Sequence, residues 1–97
     1  MVRVKWLISA KIDLKEIYEY ISIDSKRYAK LQVDRIYSSV ETLKSGIQIG
    51  KKVEEADNSL IREIIEGNYR IIYKIISSEE IHILMIHHGA RDLVRRL

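Results

Sequence analysis

Apolar and polar residues alternate from Val2 to Trp6, which predicts a first strand with Val2, Val4 and Trp6 on one face. The period then lengthens. Ala10, Leu14, Ile17 and Ile21 recur at three- and four-residue spacing, the stripe of an amphipathic helix, and Ser9 stands where its N-cap belongs. Ser22-Ile23-Asp24-Ser25 interrupts the stripe. Asp24 or Ser25 can cap a second helix, whose apolar face runs through Ala29, Val33, Ile36, Val40 and Leu43. Gly46 follows the last of these and fits a left-handed C-terminal cap. Two amphipathic helices separated by so short a break are expected to fold back as an antiparallel hairpin.

The second half changes period. Leu60 to Ile65, Tyr69 to Ile76 and Ile81 to His88 are three runs dense in Ile and Tyr, with strand composition. Glu66-Gly67-Asn68 and Ser77-Ser78-Glu79-Glu80 separate them and are short enough for hairpin turns, so neighbours in this series must be antiparallel. Residues 51–59 are polar and predict an exposed connection, with a short strand near Ile47 to Ile49. The tail from Ala90 to Leu97 has room for one last helical turn. The order β-α-α-β-β-β predicts an α+β fold: an N-terminal strand, then an antiparallel two-helix hairpin packed on a twisted antiparallel sheet of about four strands.

Composition narrows the class without naming a function. The chain has 97 residues, 46% hydrophobic and 32% charged, which suits one globular domain over 1–97 with one modest core. It has no Cys, which removes disulfides and thiolate metal sites and is compatible with a reducing cytoplasm. Charges at Arg3 and Lys5 have no long apolar run behind them, so neither a signal peptide nor a membrane span is expected. A net charge of +3 is compatible with a nucleic-acid or acidic protein partner, but too small to identify one.

Particular residues then carry a resemblance. Trp6, Ala10, Asp13-Leu14, Ile17 and Tyr20-Ile21 lead into Leu43 and Gly50. Arg62-Glu63-Ile64 precedes Gly67-Asn68-Tyr69-Arg70-Ile71-Ile72-Tyr73-Lys74-Ile75, and Ile81-His82-Ile83-Leu84 precedes His88-Gly89-Ala90-Arg91-Asp92-Leu93. In order and spacing this resembles the ParE/RelE toxin superfamily over nearly the whole chain. The resemblance implies a plasmid-stabilisation toxin of a type II toxin–antitoxin system. RelE-like members cut messenger RNA in the ribosome, ParE-like members inhibit DNA gyrase, and an antitoxin encoded alongside neutralises either kind. Such an antitoxin, ParD/RelB-like, folds as it binds an apolar groove. No cofactor and no metal is implied.

The residues able to carry chemistry divide the two activities. Arg70 matches the family's Arg in the Tyr-Arg strand, and a guanidinium suits bidentate phosphate contact. If the chain is a ribonuclease, Arg70, His88 and Arg91 are its catalytic candidates, with His88 as general base. The plainer reading pairs Arg70 with Glu63 or Glu66 across the turn, at about 0.2–1 kcal/mol. RelE-like enzymes set alternating basic residues on the strand before Tyr-Arg. Here Ile61, Glu63 and Ile65 occupy those positions, and Arg62 has the opposite parity. Two apolar residues and a carboxylate cannot neutralise phosphate, which favours the ParE side and a non-enzymatic gyrase inhibitor. On that reading Arg70, His88, Arg91, Arg95 and Arg96 are target-binding candidates, although cations in the tail also suit a helix C-terminus. A third possibility is an inactive member that only binds.

Strict alternation puts His82 and His88 on one strand face, roughly 20 Å apart, and His87 on the other, which argues against a metal site. Tyr69 and Tyr73 share a face with Ile71 and Ile75 and read as core residues with polar tips. Tyr18, Tyr20, Tyr28 and Tyr37 lie on the helices partly off the core stripe and are the antitoxin-binding candidates.

Overall fold

The computed structural model describes residues 2–47 and 49–97. Strand β1 spans Arg3–Trp6, helix α1 Ile8–Ser22 and helix α2 Lys26–Thr42, which ends in a 3-10 turn over Leu43–Ser45. Strands β2 (Lys51–Lys52), β3 (Ile61–Glu66), β4 (Tyr69–Ser77) and β5 (Glu80–His88) follow, and a 3-10 turn over Val94–Arg96 closes the chain. One sheet of five strands runs in the order β1-β5-β4-β3-β2. The α+β layout expected from the periods is therefore present, with the helical hairpin on one face.

The sheet is mixed rather than wholly antiparallel. β3, β4 and β5 form the expected meander, but β1 lies parallel to β5, with Arg3 opposite Glu80 and Trp6 opposite Ile83. Tight turns force antiparallel pairing only on the strands they join. β1 reaches β5 by way of the whole hairpin and meander, so no turn sets its direction. A short strand lies at Lys51–Lys52; the stretch Ile47 to Ile49, where one was expected, includes Gln48, which is outside the described residues.

A side-chain cap is present on α2 and absent from α1. Ser25 caps α2, its hydroxyl accepting from the Tyr28 N–H at 3.1 Å. Ser9 does not cap α1. The helix begins at Ile8, directly off the strand, with Leu7 as a cap residue that gives no side-chain hydrogen bond. Gly46 is extended, at φ −176°, because α2 tightens into its 3-10 turn and needs no left-handed residue to stop. Gly67 does take positive φ, +58°, as the first of two residues in the β3–β4 hairpin turn.

The main core lies between the hairpin and the sheet. Ala10, Leu14, Ile36, Val40 and Leu43 meet Ile71, Tyr73, Ile75, Ile81 and Ile83, with Val2, Val4 and Trp6 packed at the margin. Tyr73 is fully buried, its hydroxyl donating to the Ile47 carbonyl at 2.8 Å and accepting from the Gly50 N–H at 3.0 Å. A Cβ on Gly50 would stand 2.5 Å from that hydroxyl, which explains a glycine there.

A smaller cluster occupies the opposite sheet face, where Val53, Ile72, Met85 and Leu93 pack together. The 51–59 connection is thus not simply exposed. Val53 folds under it and anchors it to the sheet, and Leu93 does the same for the tail.

Register in β5 changes partway. Tyr73 pairs with Ile83 but Ile72 pairs with Met85, so Leu84 is an extra residue in a β-bulge. Beyond it, even-numbered residues take the helix face. His82 and His88 therefore lie on opposite faces, contrary to strict alternation, and His87 shares the outer face with His82.

Candidate functional site

The bulge and the short β1 leave β5 groups without strand partners, and α1 supplies them. β1 pairs only as far as Ile83, so the strand edge beyond it faces the first turns of α1. The Ser9 hydroxyl donates to the Leu84 carbonyl at 2.5 Å, and Asp13 Oδ2 accepts from the Ile86 N–H at 3.0 Å. The same Asp13 oxygen accepts from the Arg96 guanidinium at 2.7 Å. Arg96 also lies 3.3 Å from Nδ1 of buried His87, whose Nε2 is 3.0 Å from the Arg91 carbonyl. A neutral imidazole that donates from Nε2 and accepts at Nδ1 satisfies both contacts. This network pins the C-terminal tail beside α1.

Two concavities flank the ends of β4 and β5. The first, about 500 Å³, opens on the outer face and is lined by Lys52, Glu55, Glu63, Ile65, Arg70 and His88 among others. Ile61, Glu63 and Ile65 stand on the same face as Arg70, Ile65 being its direct cross-strand neighbour. Arg70 is held from two sides. Glu55 grips it bidentately at 2.7 and 2.8 Å, and Glu63, buried, accepts from its Nε at 3.0 Å. The hydrogen bonds from Arg70 hold the Glu55 carboxyl down at about 2, and the same pairing raises the Arg70 guanidinium further above its ordinary value. Glu55 could not be found by inspecting strands, because it comes from the polar connection fifteen residues before Arg70.

The second concavity, about 1050 Å³, is a groove between α1 and the tail. Its floor is Tyr69, Ile86 and His88. One wall carries Glu16, Tyr20, Ile23, Tyr28 and Gln32, and the other Arg91 and Arg96. Tyr20 and Ile23 are exposed at 75% and 80%, so a broad apolar strip faces solvent here. His88 packs edge-on against Tyr69 with ring centroids 5.5 Å apart, and its Nδ1 accepts from the Ala90 N–H at 3.2 Å.

The arrangement sorts the residues singled out in the sequence. Tyr20 and Tyr28 line the groove. Tyr18 does not, and Tyr37 lies against Trp6 of β1 with centroids 5.1 Å apart. Arg70 opens on the outer cleft and Arg91 on the groove, with His88 at the rim of both, so the three do not converge on one point. Arg95 is exposed, 3.8 Å from Asp92, whereas Arg96 is tied into the fold. Among the described residues no group of three His, Cys, Asp or Glu side chains could hold a metal ion, and no helix is long and apolar enough to cross a membrane. Sequence reading missed Asp13 as a tether and Gln32 as a groove residue, since neither departs from helical amphipathicity.

A helical hairpin on one face of such a sheet, with an open apolar groove beside it, defines a small α+β domain. The family of ParE toxins of type II toxin–antitoxin systems, parDE, matches residues 4–93, and the chain belongs to it. Solved structures agree on the fold. The chain is similar to one from the chromosomal ParDE toxin–antitoxin system of P. aeruginosa, at 23% identity and a TM-score of 0.72, covering 91% of this chain and 96% of that one. It is also similar to one from the RelBE2 toxin–antitoxin complex of Mycobacterium tuberculosis, at 18% identity and a TM-score of 0.60, covering 90% and 96%. No curated protein sequence matches it.

Proposed function

We propose that this ParE-family toxin, a single domain over 1–97, acts in the cytoplasm by binding and inhibiting DNA gyrase, and that a ParD/RelB-like antitoxin neutralises it. The observation that carries the gyrase reading is the face around Arg70. A ribonuclease of this fold needs cations there to hold a scissile phosphate. On β3 this chain offers Ile61, Glu63 and Ile65; of the two lysines at the cleft, Lys51 and Lys52, Lys51 lies 4.0 Å from Glu63, and the Arg70 guanidinium is saturated by Glu55 and Glu63. A phosphate would have to displace two carboxylates to reach it. Arg91, Arg95 and His88, close in sequence toward the chain's end, are the candidates for contact with the target.

Supercoiling assays with purified gyrase test this reading. Loss of supercoiling at stoichiometric toxin is expected, and full activity at a large excess would overturn it. Primer extension on translated messages addresses the ribonuclease alternative: no codon-specific breaks are expected, and breaks abolished by Arg70→Ala would replace gyrase as the target. The antitoxin reading rests on the groove beside Tyr20 and Tyr28, an apolar strip the fold leaves open.

A further inference from the structure

The side chain of Gln32 is out of place. It lies on α2 between Ala29 and Ile36, on the stripe that packs inward, and it is only 9% exposed. Its Nε2 is buried with no hydrogen-bond partner among the described residues. The hairpin turn is near, but a Cβ built on Gly67 would be 3.7 and 4.0 Å from the two amide atoms, so glycine leaves space beside them. A buried N–H donor without an acceptor lowers stability, and an apolar side chain of equal length would not.

Gln32 also lines the groove between α1 and the tail. The charges around this groove are unevenly placed. Glu16 lies on the α1 wall with no ion-pair partner among the described residues, whereas Glu19 is 3.8 Å from Lys15 and Asp13 is neutralised by Arg96. On the tail wall Arg91 has no ion-pair partner among the described residues, and His88 stands beside it. A carboxylate entering from the α1 side meets Glu16, and one entering between Gln32 and the tail reaches an unpaired donor, buried in the free toxin, and a cation with no ion-pair partner among the described residues.

We propose that Gln32 and Arg91 together read an acidic side chain on the antitoxin segment that lies in this groove, with the segment's apolar residues against Tyr20, Ile23 and Tyr28. This rests on the antitoxin reading above and adds to it the polarity of the docked segment. The carboxylate accepts from Gln32 Nε2 and is attracted by the Arg91 guanidinium. The unpaired donor costs the free toxin stability, and that cost is relieved when the antitoxin binds.

The probe is the antitoxin encoded by the adjacent reading frame, titrated calorimetrically against wild-type toxin, Gln32→Met, Gln32→Glu and Arg91→Met, with melting curves of each free toxin. Gln32→Met keeps length and volume and removes the donor. It is expected to melt at or above the wild-type temperature, yet bind at least tenfold more weakly. Gln32→Glu, which repels a carboxylate, is expected to bind more weakly still. The Gln32→Met/Arg91→Met double variant should lose less than the product of the single losses, as two residues sharing one partner do. Unchanged affinity in Gln32→Met, or a lowered melting temperature with unchanged affinity, would mark a packing residue and overturn the inference alone. No binding by the wild type would overturn the antitoxin reading and this inference with it.

Discussion

The two faces of the sheet are built on different principles. On the helix face, Ile71, Tyr73, Ile81 and Ile83 meet a two-helix layer, and buried polar atoms are few: the Tyr73 hydroxyl is satisfied, and Gln32 Nε2 is the exception among the described residues. On the outer face a loop and a tail cover only Val53, Ile72, Met85 and Leu93, and the ground beside them is held by the Arg70, Glu55 and Glu63 charges. The first face gets its stability from area, which is insensitive to small motions. The second depends on geometry, because a buried carboxylate is tolerated only while its cation stays in place.

Truncation separates the two faces most sharply. Ile83→Ala, in the helix-side core, is expected to cost about 4 kcal/mol in denaturant unfolding, whereas Leu93→Ala should cost about 2 kcal/mol, since the tail can settle into the gap. Equal losses would mean that the outer cluster is as rigid as the main core. Arg70→Ala comes next. It leaves buried Glu63 with only Lys51, whose Nζ is 4.0 Å away. A loss of about 3 kcal/mol is expected, and Arg70→Ala/Glu63→Met should recover much of it. Failure of the double variant to recover stability would show that Arg70 acts through packing rather than charge.

Acid tests the same face more gently. Glu55 is lowered from 4.5 to about 2 in the folded chain, so the unfolded chain binds the extra proton first. Its contribution is fully present above about pH 4.5 and disappears as pH falls toward about 2. Melting temperatures of wild type and Glu55→Gln should therefore differ at neutral pH and converge near the acid end of that window. A constant difference would sever the link to Arg70. The smallest effect is expected at Gly67→Ala, where the positive φ alone opposes a side chain and costs about 1 kcal/mol.

Much of the helix-side architecture was legible from periodicity, because an apolar stripe of period 3.6 or 2 states which face is buried. Ala10, Leu14, Ile36 and Val40 were placed in this way, as were Tyr69 and Tyr73. The outer face was legible only in part. Parity put Ile61, Glu63 and Ile65 beside Arg70, and they are there. It failed at Leu84, since a bulge adds a residue without any composition signal, and His88 changed faces as a result. Glu55 and Asp13 were out of reach for a different reason. Each bonds a residue brought near by the fold, Arg70 and Arg96 respectively, and sequence spacing carries no record of such pairings.

The parallel pairing of β1 with β5 bears on how the chain is made. Arg3 finds its neighbour only at Glu80, and Asp13 finds its cation only at Arg96. During synthesis the hairpin of α1 and α2 emerges early, stabilised by local contacts, while β1 waits for the last strand to leave the ribosome. The groove wall formed by the tail cannot exist before then. The groove is thus the last part of this domain to form.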